Sequence, residues 1–327
     1  MTRLTLLVGN DTDAAGTGGL RVFGVDGNEW VRGMTIDVPS PTYLARHDDL
    51  VFAVSETNPS RVHSFLLDRG RFPASLTHVS SAEVGRDGAC HVAVAPGGGF
   101  VLTACYVSGS VTTHRVLPDG RLTSVVDVID FTGTGPVPDR QEAAHAHQVV
   151  FDDDVAMVPD LGSDVVHRLR LLPDGTLMPL GDIPMPPGFG PRHLAVHGDR
   201  MFVVGELSGQ LWVGRRTAEG FAREGVLPAS AFEGQFPAAI RIAGSRLYVS
   251  LRGRNTIAEF TLDAPLPRPV REFAVGPWPR DFVVSGGHLW VGHQRGENVV
   301  AYCLEEEVPL QRCAIPAPAP AGLLLVE

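Results

Sequence analysis

Six copies of one two-strand pattern, a seventh copy divided between the chain ends, and a composition built for tight turns predict an all-β chain: a seven-bladed β-propeller, residues 1–327 forming one domain. A chain of 327 residues would often hold two domains, but closed all-β architectures run long as one unit. The 37 glycines and 26 prolines are too many for a helical protein and suit many tight turns. Short apolar runs bounded by Gly, Pro, Asp and Asn recur throughout, and long amphipathic helical stretches are scarce.

The repeated pattern is an apolar strand, a turn, a second apolar strand and then a polar residue. Its full copies are TYLARHDDLVFAVSE (42–56), CHVAVAPGGGFVLTACY (90–106), HQVVFDDDVAMVPD (147–160), RHLAVHGDRMFVVGE (192–206), AAIRIAGSRLYVSLR (238–252) and RDFVVSGGHLWVGHQ (280–294). Their starts lie roughly 40 to 57 residues apart, the size of a four-stranded blade. Outer hairpins follow, as in GSVTTHRVL before the turn Pro118-Asp119-Gly120 and DVVHRLRLL before Pro173-Asp174-Gly175. The seventh copy takes its first strand from AGLLLVE (321–327) and its second from LTLLVGN (4–10), with LRVFGVD (20–26) and WVRGMTIDV (30–38) outside them. Joining the chain ends within one blade closes the ring and removes an unpaired edge. No copy carries the GH…WD signature of WD40 blades.

In a blade the first strand lines the channel and the second runs antiparallel to it. The start of strand one and the end of strand two therefore share one mouth. The second-strand ends are Asn10, Glu56, Tyr106, Asp160, Glu206, Arg252 and Gln294; the first-strand starts are Thr42, Cys90, His147, Arg192, Ala238, Arg280 and Ala321. Arg192, Arg252 and Arg280 stand on three different blades yet converge. Their repulsion must be answered by carboxylates or by an anionic ligand, and the guanidinium fork matches carboxylate and phosphate oxygens.

The net charge of −10 argues against nucleic acid, which needs a basic face. It leaves room for a small anion, because a few arginines reverse the field locally. Cys90, Cys105, Cys303 and Cys313 form no CxxC pair and read as buried free thiols of a reducing compartment. The start, MTRLTLLVGN, lacks a signal peptide's apolar stretch, and no run approaches a membrane span. The expectation is a cytoplasmic protein, monomeric or weakly self-associating, whose partner is a small anionic or sugar-lactone substrate. Gly16-Thr17-Gly18-Gly19 and Gly97-Gly98-Gly99 read as hairpin loops rather than phosphate cradles, and no G-x-S-x-G elbow offers a serine nucleophile.

Several short stretches fall in a fixed order: Asn58-Pro59-Ser60, Tyr106-Val107-Ser108-Gly109-Ser110-Val111, Gln141-Glu142-Ala143-Ala144-His145-Ala146-His147, Pro159-Asp160-Leu161-Gly162-Ser163-Asp164, Gly190-Pro191-Arg192-His193, Gly205-Glu206-Leu207, Ser250-Leu251-Arg252-Gly253 and Trp278-Pro279-Arg280-Asp281-Phe282. In this order and spacing the chain resembles the lactonase family that includes bacterial propeller-type 6-phosphogluconolactonase and the fungal carboxy-cis,cis-muconate lactonizing enzyme. The resemblance implies a site made from His147, Arg192, Glu206 and Arg252, all four of which fall in the rings above. The chain departs from the family in lacking asparagines beside ring residues, at Cys105, Gly205 and Leu251, which bears on substrate detail.

The leading reading is hydrolysis of a sugar lactone, 6-phosphogluconolactone first among them, with neither metal nor organic cofactor. Arg192 and Arg252 would clamp an anion or the oxyanion formed on attack, His147 would take a proton from water, and Glu206 would hold the imidazole. His145, Glu142, Tyr106, Asp160 and Arg280 are the further substrate-binding candidates. Arg280 and Asp281 also suit structural roles, Asp160 and Asp164 suit a turn that supports the ring, and His193, one residue from Arg192, suits packing. His145-x-His147 has a metal-ligand spacing. Three other readings remain: a carboxymuconate lactonizing isomerase on the same residues, a lactonase holding a calcium-like ion between Asn10, Glu56, Asp160 and Glu206, and a non-catalytic propeller that binds a small anion.

Overall fold

A computed structural model describes residues 3–11, 18–306 and 308–327. Gly16 and Thr17 of the first glycine loop lie outside them. The described residues form seven four-stranded antiparallel sheets and no helix, so no helix is long and apolar enough to cross a membrane. The first strands of neighbouring blades touch around a ring, and the protein is a seven-bladed β-propeller. Blade 1 joins the chain ends: Pro320–Val326 lies innermost, then Leu4–Asn10, Leu20–Asp26 and Glu29–Ile36. Blades 2 to 7 follow in sequence, their inner strands beginning at Pro41, Ala89, Val150, Pro191, Pro237 and Pro279.

The apolar core is divided into seven slabs, one between each pair of neighbouring blades. Strand alternation explains this, since each sheet presents one face of Val, Leu, Phe and Ala to each neighbour. The slab that closes the ring packs Leu6, Val8 and Phe23 of blade 1 with Trp290, Val299 and Ile315 of blade 7.

One irregularity recurs and shapes the mouth. Where an inner strand begins, the ladder skips a residue: Pro41 pairs Ser55 but Tyr43 pairs Val54, Ala89 pairs Cys105 but His91 pairs Ala104, Pro191 pairs Gly205 but His193 pairs Val204, and Pro279 pairs His293 but Asp281 pairs Gly292. The unmatched residues are Thr42, Cys90, Arg192 and Arg280. Blade 6 carries the same irregularity after Pro237 and blade 1 after Pro320. A bulge re-aims the side chain it carries, and proline fits there because no ladder donor is needed. The first-strand starts read from the sequence are thus bulge positions.

Two details differ from the sequence reading. Blade 4 has an inner strand of three residues, Val150–Asp152, so His147 lies ahead of the strand rather than opening it. Its backbone still follows the neighbour, with an isolated bridge between Ala146 and Asp160 and a bond from the His147 N–H to the Pro159 carbonyl at 3.0 Å. The second-strand ring is also shifted in two blades. Glu56, Tyr106, Glu206, Arg252 and Gln294 each follow their strand and donate a backbone N–H across to the loop that precedes their own inner strand. Asp11 and Leu161 make the same bond, so they are the equivalents in blades 1 and 4. Asn10 and Asp160 fall one position earlier and are buried.

Candidate active site

The mouth is organised around one carboxylate. Glu206 Oε2 lies 3.0 Å from Arg192 Nε and 2.6 Å from Arg252 Nη2, and Oε1 accepts from Arg140 Nη2 at 2.8 Å. The Glu206 and Arg192 side chains are 6% and 4% exposed. The Arg192 Nε contact is an ion pair without hydrogen-bond alignment, while its Nη1 donates to the Ala238 carbonyl at 2.5 Å. Arg252 also donates from Nε to the Phe236 carbonyl at 3.2 Å and lies over the Trp278 ring.

Burial alone would raise the Glu206 carboxyl, but Arg252 and Arg192 carry it far below the usual carboxylate range. Burial and the charge of Arg252 push Arg192 down to about 9. One buried anion holding three cations leaves local positive charge unanswered, which a second anion would relieve. Arg280 forms the adjoining cluster, 3.3 Å from Glu56 Oε2 and 3.8 Å from Asp11 Oδ2, and Gln294 donates to Asp11 at 3.0 Å.

His147 borders this cluster. Burial, then the charge of Arg192, push its imidazole well below the ordinary histidine value, so the ring is neutral at pH 7. Its Nδ1 lies 4.0 Å from the Cys90 thiol sulfur. The Tyr106 and His193 rings meet it edge to face, at 5.4 and 5.5 Å between centroids. Glu206 makes no hydrogen bond to His147 among the described residues; its oxygens serve the arginines instead. The expectation that Glu206 holds the imidazole is therefore corrected: its influence on His147 is electrostatic.

Residues 5–323 match the profile of a family described as lactonase, seven-bladed β-propeller. The chain belongs to this lactonase family. A relative named 6-phosphogluconolactonase, from Bacillus subtilis, is 30% identical over 287 residues, covering 82% of this chain and 81% of the relative. Among solved structures, the Pseudomonas aeruginosa periplasmic gluconolactonase superposes with a TM-score of 0.89 at 26% identity, covering 100% of this chain and 99% of that one. A Bacteroides fragilis protein with a TM-score of 0.91 and 24% identity, covering 99% and 98%, shows the fold alone.

In this lactonase-family chain the remaining candidates separate by burial. Tyr106 stacks face to face on His145 at 4.4 Å, and its hydroxyl lies 3.5 Å from Arg140 Nη2. His145 has both ring nitrogens engaged, Nδ1 with the Tyr106 carbonyl at 2.9 Å and Nε2 with Glu142 at 3.1 Å. It therefore braces Tyr106 rather than offering a free nitrogen to substrate or metal. Asp160 is fully buried and accepts from the backbone of His145 and Gly162, the Ser163 hydroxyl and His167. Both carboxylate oxygens are engaged by the protein, so in this structure Asp160 supports the turn and ties it to His167 of the next strand. Asn10 is likewise committed, to Arg21 and the Pro318 carbonyl. With Glu206 bound to arginines, the four oxygen donors weighed for a calcium-like ion do not converge, and no cluster of metal-ligating acids, histidines and cysteines is present among the described residues.

A second layer is formed by the residues one position after Cys90, His147, Arg192 and Arg280. His91 Nδ1 accepts from the Val149 N–H at 3.4 Å, Gln148 Oε1 from the Leu194 N–H at 2.7 Å and Asp281 Oδ2 from the Leu323 N–H at 3.0 Å. Each bond laces one blade to the next and occupies a backbone donor. His193 is buried here against His147, His91 and Tyr43.

Arg140 escaped the sequence reading. It belongs to no strand; it lies in the long connection between Asp130 and Val150. The motif Gln141–His147 begins one residue after it. The usable signal was an arginine beside a stretch too long for a hairpin in a chain of short ones. Gln141, 1% exposed, fixes its place by donating to the Leu161 carbonyl at 2.9 Å and to Asp164 Oδ1 at 2.8 Å.

Proposed function

We propose that this protein hydrolyses a sugar lactone, 6-phosphogluconolactone being the leading substrate, at the His147/Arg192/Glu206/Arg252 mouth. The observation that supports it is a neutral imidazole beside a buried carboxylate shared by three guanidiniums. A lactone carbonyl oxygen directed at Arg252 and Arg192 gains negative charge on attack, and fixed guanidiniums stabilise it with little reorganisation. His147 takes a proton from the attacking water as its oxygen bonds to the carbonyl carbon. The tetrahedral intermediate then collapses, the ring C–O bond breaks, and the imidazolium returns the proton to the departing ring oxygen. The acid released ionises in solvent, so each turnover yields one proton. Nδ1 faces Cys90, which leaves Nε2 for this work.

The same depression that keeps His147 neutral weakens it as a base, so the reading gives it modest proton-transfer power and assigns most of the rate to the arginines. The names of the relatives favour hydrolysis over the lactonizing isomerisation that the same residues suit. The four buried free cysteines agree with a reducing compartment, and we place the protein in the cytoplasm on that ground, although one relative is periplasmic. Proton release on adding purified protein to freshly prepared 6-phosphoglucono-δ-lactone tests the proposal. Acceleration above the spontaneous rate is expected. No acceleration, together with loss of the ultraviolet absorbance of a carboxymuconate, would replace it with the isomerase.

A further inference from the structure

We infer that Arg140 is a specificity-determining residue of this site: it receives the anionic substituent of the substrate at the rim, while Arg192 and Arg252 serve the reacting carbonyl. The inference rests on the proposed lactone hydrolysis and names which lactones the site prefers, those carrying a phosphate or carboxylate remote from the ring carbonyl.

Three observations carry it. First, Glu206 divides the arginines between its oxygens, Oε2 taking Arg192 and Arg252 and Oε1 taking Arg140. Second, exposure divides them in the same way: the side chains of Arg192 and Arg252 are 4% and 11% exposed, and that of Arg140 is 39% exposed. A ligand with its carbonyl deep in the mouth would leave its far end at Arg140. Third, Arg140 holds donors in reserve. Nη2 meets Glu206 at 2.8 Å and Tyr106 at 3.5 Å, while Nε and Nη1 have no partner among the described residues. The bond to Glu206 and the Gln141 anchor fix the guanidinium before ligand arrives, so little side-chain freedom is lost on binding.

The test compares wild type, Arg140→Gln and Arg140→Lys on 6-phosphoglucono-δ-lactone and glucono-δ-lactone, with thermal melts to verify folding. For Arg140→Gln, the ratio of kcat/KM between the phosphorylated and plain lactones falls about 10- to 100-fold, chiefly through KM, as expected for loss of a charge-assisted contact. Arg140→Lys recovers part of the ratio. Equal losses on both lactones would overturn the inference. If wild type hydrolyses neither lactone, the hydrolase reading fails by itself and calorimetric binding decides the inference. Preference for 6-phosphogluconate over gluconate that Arg140→Gln abolishes supports it, and absence of that preference in wild type, or its survival in the variant, overturns it.

Discussion

At the residue scale, the site depends on Glu206. Removing its charge leaves Arg192, Arg252 and Arg140 facing one another with no anion between them. Glu206→Gln should cost about 3–5 kcal/mol, the range for breaking a buried ion pair, and lower Tm correspondingly. The pH dependence has a definite sign. The folded-state carboxyl is depressed below its ordinary value of 4.5, so its stabilisation is fully present above about pH 4.5 and is lost as pH falls below it. Denaturant melts at a series of acidic pH values should show a steeper loss for wild type than for Glu206→Gln. His147 is also depressed, below 6.5, so the acid limb of kcat/KM should lie below pH 6.5. His147→Gln should lower kcat by about 10²-fold, the low end of the range for general-base catalysis, as befits a weakened base. Of these residues the sequence announced His147, Arg192, Glu206 and Arg252 by position. It could not announce their partners, because the link from Arg140 to Glu206 spans 66 residues and no periodicity relates them.

At the scale of the element, bulges and one irregular connection determine which side chains reach the mouth. The repeat disclosed the inner-strand starts because every copy keeps the same count from strand to turn. The bulges themselves were not legible, since apolar-polar alternation continues on either side of one skipped residue. The ring is offset in blades 1 and 4 because Asn10 and Asp160 are the last residues of their second strands, and the residues one position on, Asp11 and Leu161, make the bond that marks the ring. The connection before blade 4 is held by two close approaches: a Cβ on Gly162 would lie 1.7 Å from the Ala143 carbonyl oxygen, and one on Gly109 would lie 2.3 Å from that of Ala144. Gly162→Ala should therefore displace the segment carrying Arg140, His145 and His147. We expect a stability loss above about 1 kcal/mol together with reduced kcat/KM, the backbone having to move; an unaltered Tm and rate would show that the connection tolerates the shift.

At the scale of the molecule, closure of the ring sets both stability and function. The arginines of the mouth come from blades 5, 6 and 7 and from the connection preceding blade 4, so no single blade contains a site. Blade 1 is completed only by Pro320–Val326, which buries Ala321, Leu323 and Val326. Leu323→Ala should cost about 2–5 kcal/mol by cavity formation, and deletion of residues 320–327 should abolish cooperative thermal unfolding; a truncated chain that melts like wild type would contradict this role. The whole architecture was legible from six copies and a divided seventh, because blade length and turn chemistry are local. Every one of the 27 basic residues is arginine, which suits a mouth built on forked ion pairs.

A crystal structure with 6-phosphogluconate tests the central claim most directly. The ligand should lie at the mouth, its phosphate within hydrogen-bond distance of the Arg140 guanidinium and its C1 carboxyl at Arg192 and Arg252, beside His147. Ligand bound at the opposite end of the channel, or on the outer surface with the Glu206 cluster untouched, would contradict it.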